Sequence, residues 1–248
     1  MEVAGVVLAA GAGTRLRPLT RYRPKPLCPV AGVALLDRAL ARVHTVTADV
    51  AVNVHHGRAA METHLAGTGV HVSIEEDQPL GTAGALAHLR PWIDRRPVLV
   101  VNGDTWSETP LAPILDTWDG ERPRLLVVGR WPTPRPRLVG ALLPWDDVAR
   151  LEPVPSGLWE VAWRADLDAG RLDVVSGQGP FVDCGTPAAY LAANLAATGG
   201  AGFVDPNATV GAEARLEASV VWDDGDVRPG ERLVRGVRYA GGRTVLVR

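Results

Sequence analysis

A doubly wound α/β fold with a mixed, mainly parallel sheet is the architecture this chain predicts, on three observations. Apolar runs of strand length occur at Val3–Ala9, Val50–Val54, Val70–Ile74, Val98–Val101 and Leu125–Val128. Helical patterning follows or separates them near Leu35–Val43, Arg58–Leu65, Thr82–Leu89 and Pro110–Trp118. The strand runs are continuously apolar rather than alternating, as strands are when helices cover both faces of a parallel sheet.

The composition bounds what such a fold can do. With 248 residues, 46% of them hydrophobic, the chain can bury one good core and a small appendage. A net charge of −2 gives no general attraction to nucleic acid or acidic membranes, so any affinity for phosphate must be local. No apolar run reaches membrane-spanning length, and the N-terminus enters a strand without a basic leader. The expectation is a cytoplasmic protein with no nucleic-acid or membrane partner. Two cysteines, Cys28 and Cys184, are too few for a disulfide framework or a thiolate metal site. They are expected as free thiols, packed or open to oxidation.

The first strand breaks into Gly11-Ala12-Gly13-Thr14-Arg15-Leu16-Arg17. Ligands in open α/β sheets collect at the carboxyl ends of strands. Gly11 and Gly13 remove Cβ atoms so that backbone N–H groups can face phosphate oxygens, and Arg15 and Arg17 add positive charge. A dinucleotide fingerprint would need glycine at position 16, which is Leu16, and a P-loop would need Gly-Lys-Ser/Thr, which is absent. Next comes the chain's single lysine, set against 25 arginines, in Arg23-Pro24-Lys25-Pro26-Leu27. An ammonium is a compact point charge where a guanidinium is a wide planar fork, so retention of Lys25 points to chemistry at one phosphate oxygen.

Further along, Asn53-Val54-His55-His56 ends the second strand. Adjacent side chains on an extended segment face opposite ways, so the two histidines are expected in a surface or supporting role rather than on one metal ion. Glu76-Asp77-Gln78-Pro79-Leu80-Gly81-Thr82-Ala83-Gly84 is a loop-to-helix junction with Thr82 as its cap. Asp104, in Asn102-Gly103-Asp104, sits just past the strand Val98–Val101, where it suits a magnesium ion or a turn cap. Asp183 follows the short apolar strand Phe181–Val182, with Thr186 and Pro187 placed to start a helix that Gly199-Gly200 ends.

Trp131-Pro132-Thr133-Pro134-Arg135-Pro136-Arg137 is too rich in proline to pair in a sheet interior and is expected as an exposed linker or lid edge, marking a change of architecture. Beyond it, Leu138–Leu143 and Val148–Leu151 around Pro144-Trp145-Asp146-Asp147 read as a hairpin, and Gly157–Trp163 as another strand. In the tail, Val204, Val210, Leu216 and Trp222 recur every six residues, with Ala208, Ala214 and Val220 beside them. Six residues is the period of hexapeptide β-helix coils. There is room for about two coils, fewer than independent stability requires, so the tail must dock on the rest of the chain or on another subunit.

Leu8-Ala9-Ala10-Gly11-x-Gly13-Thr14-Arg15-Leu16-Arg17-Pro18-Leu19-Thr20, followed by Pro24-Lys25-Pro26-Leu27-x-Pro29-Val30, resembles the signature of the sugar-1-phosphate nucleotidyltransferases. The resemblance implies a Rossmann-like catalytic domain over residues 1–200 and a short left-handed, β-helix-like hexapeptide tail over residues 201–248. It implies that Leu8, Ala9, Ala10, Gly11, Gly13 and Thr14 bind nucleotide, with Gln78, Gly81 and Thr82 against base and ribose. Arg15 and Lys25 become the catalytic cations, and Asp104 and Asp183 the ligands of Mg²⁺. Asn53, Gly140 and Glu152 become candidates for the sugar-phosphate site.

One motif departs from the family's pattern. Where many relatives carry Glu-Lys-Pro, this chain has Glu152-Pro153-Val154. The acceptor phosphate must then find another cation among Arg137, Arg150 and Arg164. The Pro-Leu-Gly-Thr-x-Gly stretch looks most like guanylyltransferases making GDP-mannose or GDP-heptose, with GTP as donor. The missing lysine resembles the compact uridylyltransferases that use UTP and N-acetylmuramate-1-phosphate. A regulatory subunit that binds nucleotide-sugar without catalysis is the alternative of another class, and assembly of copies through the tail is a further expectation.

Overall fold

Because the apolar runs are buried on both faces, they assemble into one seven-stranded sheet. The computed structural model describes residues 2–133 and 137–247. Its main sheet runs, edge to edge, Asp173–Gly177, Arg124–Val128, Arg137–Leu143, Val98–Asn102, Ala4–Leu8, Val50–Val54, His71–Ile74. Ala4–Leu8 lies at its heart, parallel to Val50–Val54 on one side and to Val98–Asn102 on the other. Arg137–Leu143 runs antiparallel to both its neighbours, so the sheet is mixed and mainly parallel, as expected. Helices Arg58–Leu65 and Gly81–His88 fill crossovers between the parallel strands.

The chain divides into two compact units. The first comprises residues 1–11, 38–103 and 107–181 and contains the whole main sheet. Its core joins Val6, Val98, Val100, Leu125 and Val127 of the strands to Ala83, Leu86 and Ile93 of the helices, with Val148, Leu158 and Trp163 packed in. The second comprises residues 12–37, 104–106 and 182–248. Its core joins Leu16, Leu19, Cys28 and Trp106 to Tyr190 and Leu191 of the helix Pro187–Ala197 and to Val220, Trp222, Val237 and Tyr239 of the tail.

The helix Pro187–Ala197 begins as its sequence dictates: Thr186 Oγ1 accepts a hydrogen bond from the Ala189 N–H, and Pro187 occupies the first turn. The same helix receives the tail. Trp222 Nε1 donates to Tyr190 Oη at 3.0 Å, Tyr190 Oη donates in turn to the Pro29 carbonyl, and Arg23 lies over the Trp222 ring. The tail thus docks within its own chain.

Four pairings in the tail are parallel with an offset of 17 residues, Phe203 with Val220, Thr209 with Asp226, Arg215 with Arg232, and Val220 with Val237, whereas the last strand, Arg243–Leu246, runs antiparallel to Gly236–Tyr239. Val221, Val227 and Leu233, with Ala208, Ala214 and Leu216, form the small cluster beside these ladders. Val204 and Val210, the start of the expected six-residue series, are exposed.

Four local expectations fail. Pro110–Trp118 holds only a 3₁₀ turn at Ala112–Ile114, because Pro113 has no N–H to give and crowds a helix interior. The segment after Leu143 is no hairpin: Pro144 precedes a helix, Trp145–Ala149, with Asp146 and Asp147 in its first turn. Gly157–Trp163 is no strand: Trp159–Trp163 forms a π-helical turn leading into the helix Arg164–Asp168. There the burial of Leu158 and Trp163 outweighs the strand propensity of the tryptophans and Val161. Finally, Arg137 is no linker residue but opens a strand of the main sheet, while positions 134–136 of the proposed linker lie outside the described residues.

Candidate active site

In the second unit, the turn Lys25–Leu27, framed by Pro24 and Pro26, buries the aliphatic stem of Lys25. The side chain is only 5% exposed, and its Nζ donates to Asp104 Oδ2 at 2.7 Å and to Asp183 Oδ1 at 3.4 Å. The short strand beginning at Thr105 pairs with the strand Phe181–Asp183, which sets the two carboxylates beside each other. Arg15 Nη2 stands 3.7 Å from Asp183 Oδ2 with most of its side chain in solvent. Four residues separated by up to 168 positions in sequence therefore meet in one cluster, two cations against two carboxylates.

Two glycines make this convergence possible. Gly13 has φ +59°, and a Cβ there would lie 2.9 Å from Lys25 Cβ. A Cβ on Gly185 would lie 2.9 Å from Arg15 Nη2 and 3.1 Å from Asp183 Oδ1. Asp104 and Asp183 remain 39% and 52% exposed at their side chains, open to solvent and to a ligand, while the lysine between them is not. Among the described residues no group of three or more His, Cys, Asp or Glu is arranged to hold a metal ion. Two carboxylates are nevertheless the complement that a magnesium ion takes when phosphates and water supply the rest.

The neighbouring thiols are packing groups. Cys28 and Cys184 are fully buried, and burial pushes each up from the ordinary 9.0 to about 12, so both stay protonated.

In the first unit, the turn after Ala4–Leu8 holds Ala9 and Ala10 buried, whereas a Cβ on Gly11 would face open space. Gly103 packs against this strand end: its N–H donates to the Leu8 carbonyl at 2.9 Å, and a Cβ would meet Val7 at 2.9 Å. Gln78 is exposed and lines a cavity of about 260 Å³ with Glu76, Asp77, His88 and Pro153. Thr82 does not cap its helix. Its Oγ1 accepts from the Leu158 N–H at 2.8 Å, while the Ala83 N–H donates to the Ser156 carbonyl at 3.0 Å. Gly81, at φ +72°, and Gly84 allow this contact, since Cβ atoms there would lie 2.4 Å from the Ser156 oxygen and 2.2 Å from the Val154 oxygen. The Pro-Leu-Gly-Thr-x-Gly stretch is thus a platform on which residues 154–158 dock.

The three sugar-phosphate candidates do not converge. Asn53 is 2% exposed with both ends of its amide hydrogen-bonded inside the protein, which corrects its assignment as a ligand contact. Gly140 lines a cavity of about 90 Å³ with Leu8, Thr82, Asn102, Leu158 and Trp163. Glu152 lines a different one, of about 830 Å³, with Asp147, Arg150 and Val161. Arg150 is already paired with Asp147. Sequence reasoning missed Glu75 and Ser156. Glu75 could have been found only as a carboxylate directly after an apolar strand, since it shares a face with His71 and Ser73 and not with Val70, Val72 and Ile74.

Comparison with known proteins identifies the family and the fold. The family model for nucleotidyl transferases matches residues 4–137, more than half of the chain. N-acetylmuramate alpha-1-phosphate uridylyltransferase of Caulobacter vibrioides is 39% identical over 47% of this chain and 53% of its own length. Mannose-1-phosphate guanylyltransferase of Mycobacterium tuberculosis is 37% identical over 46% of this chain and 33% of its own length. The chain thus spans about half the length of the first relative and about a third of the second. The solved structure of mannose-1-phosphate geranyltransferase from Thermus thermophilus shares the fold, with TM-score 0.71 over 100% of this chain and 95% of that one at 19% identity. The matched span holds the glycine turn, Lys25, the Pro-Leu-Gly-Thr platform and Asp104, and the chain belongs to the nucleotidyl transferase family.

Proposed function

We propose that the protein is a sugar-1-phosphate nucleotidyltransferase, converting a nucleoside triphosphate and a sugar-1-phosphate into a nucleotide-diphosphate sugar and pyrophosphate. The observation that carries this reading is Lys25 Nζ held within hydrogen-bonding reach of both Asp104 and Asp183. A sugar phosphate is already ionised near neutral pH and needs no general base to attack the α-phosphorus. Catalysis then reduces to aligning two anions and neutralising the charge that develops.

In the second unit, Lys25 serves the reacting phosphates and Arg15 the departing pyrophosphate. The ammonium, buried to its tip, loses little freedom when a phosphate oxygen replaces a carboxylate as its partner. Asp104 and Asp183 would hold a magnesium ion, their oxygen donors and partial exposure suiting a hard cation, and the ion would supply further charge neutralisation at the phosphates. In the first unit, Leu8–Gly11 and Gln78–Thr82 serve the nucleotide, and Gly140 marks the cavity considered for the sugar. Parallel strand offsets of 17 residues support residues 201–248 as a short hexapeptide coil appended to a catalytic domain over residues 1–200.

GTP is the donor this reading puts first, for a guanylyltransferase making a GDP-mannose or GDP-heptose type of product. UTP with N-acetylmuramate-1-phosphate is favoured instead by the missing acceptor lysine and by the 39% relative. Pyrophosphate release should be measured in magnesium across four nucleoside triphosphates and a panel of sugar-1-phosphates. Turnover with GTP or UTP and one sugar phosphate is expected. Nucleotide-sugar binding without turnover for any pair would identify a regulatory subunit instead.

A further inference from the structure

At the end of the strand Val50–Val54, one buried polar chain joins the two nucleotide segments of the first unit. The Ala9 N–H donates to Asn53 Oδ1 at 2.7 Å, Asn53 Nδ2 donates to Glu75 Oε1 at 2.7 Å, and the Leu80 N–H donates to Glu75 Oε2 at 2.8 Å. Asn53 and Glu75 are each 2% exposed. The next residues repeat the link: His55 Nδ1 meets the Glu75 carbonyl at 2.6 Å and His56 Nδ1 meets the Ala10 carbonyl at 3.1 Å. A carbonyl can only accept, so each Nδ1 carries the proton.

The polarity of this chain is specific. Both of its ends are main-chain donors, at Ala9 and Leu80. An amide facing an ionised carboxylate satisfies both donors and each other, whereas an amide facing an amide leaves one donor against another in a buried site. At 2% exposure these groups present little surface on which water could repair such a mismatch.

We infer that Asn53 and Glu75 form a positioning clasp that holds the Ala9–Gly11 turn in register with the Gln78–Thr82 turn, and so sets affinity for the nucleoside triphosphate rather than for the sugar phosphate. This rests on the transferase reading of those two segments. Neither residue touches substrate; each acts through the backbone it holds.

The test is a charge swap. In Glu75→Gln one buried donor loses its acceptor, and in Asn53→Asp two carboxylates face each other. In the double variant, the carboxylate now at position 53 accepts from the Ala9 N–H and from the amide now at position 75, whose oxygen in turn accepts from the Leu80 N–H. Donors, acceptors and net charge then all match the starting protein. Pyrophosphate-release kinetics with GTP and with UTP, over mannose-1-phosphate and N-acetylmuramate-1-phosphate, would be read beside thermal unfolding. Each single substitution should raise KM for the triphosphate by about tenfold and leave KM for the sugar phosphate unchanged. The double variant should return to within about threefold of the starting protein. Equal shifts in both KM values, a fall in Tm alone, or a double variant no better than the worse single one would overturn the clasp. Calorimetric titration of GTP and UTP into the unaltered protein separates the two ideas. Binding and turnover there, with singles that keep their triphosphate KM, defeats the clasp only; neither binding nor turnover defeats the transferase reading and the clasp with it.

Discussion

The protein contains two polar clusters built on opposite plans. In the first unit, Asn53 and Glu75 are buried, and both ends of the chain they form meet a fixed main-chain group. In the second unit, Lys25 is buried but its two carboxylate partners are not. A buried, fully satisfied network resists change because breaking it strands a polar group, at a cost of about 1–3 kcal/mol. A buried cation with half-exposed partners can instead exchange one oxygen ligand for another, since water or an incoming phosphate can take up what is released. One cluster maintains shape, and the other is ready to meet an anion.

This contrast can be broken most severely at the open cluster. Replacing Asp104 by Asn keeps size and polarity but removes one of the two charges around Lys25. Turnover should fall by about 10²–10³, the usual cost of losing one preorganised charge stabiliser. Because Asp104 is substantially exposed, Tm should hardly move, and a thermal melt beside the kinetic assay checks both halves. A large fall in Tm would show that the open cluster is structural after all.

A second substitution addresses the closed region. Gly84→Ala would put a methyl group 2.2 Å from the Val154 oxygen and 3.0 Å from Leu80 Cβ, so the closest clash is with main chain and not with the far end of a flexible side chain. Denaturant unfolding should show a loss of about 1–3 kcal/mol, as overpacking typically produces. Residues 154–158 should also become more susceptible to limited proteolysis. Unchanged stability would mean that this loop is not docked as described.

The smallest effect concerns the thiols. Burial raises Cys28 and Cys184 from 9.0 to about 12, so the folded state holds their protons more tightly than the unfolded chain does. Their contribution to stability is therefore fully present below pH 9 and is lost as the pH rises toward 12. Stability measured from about pH 7 to about pH 11 should decline above about pH 9, and the decline should be shallower in a Cys28→Ala/Cys184→Ala variant. An identical slope in that variant would remove the thiols from the account.

Much of this was legible in the sequence, for reasons that differ from element to element. The parallel strands were legible because burial on both faces leaves continuous apolar runs, and the helix at Pro187 because Thr186 and Pro187 carry their own capping chemistry. The cation–carboxylate cluster was legible because strand ends collect ligands and because a lone lysine among arginines draws attention to Lys25. Trp159–Trp163 was not, since its aromatic and β-branched residues favour a strand locally and only the core beneath them selects a helical turn. The tail's period was visible, but not which residues of it face inward. Asn53 entered the sugar-phosphate site through the family resemblance, and only the position of Glu75, 22 residues later, shows that its partner is internal.

The central claim, that the ammonium of Lys25 serves reacting phosphates, is tested most directly by the kcat of a Lys25→Ala variant at saturating triphosphate and sugar phosphate in magnesium. The account predicts a fall of about 10²–10³ with the fold retained, and no second lysine exists in the chain to take its place. Turnover close to that of the unaltered protein would contradict it.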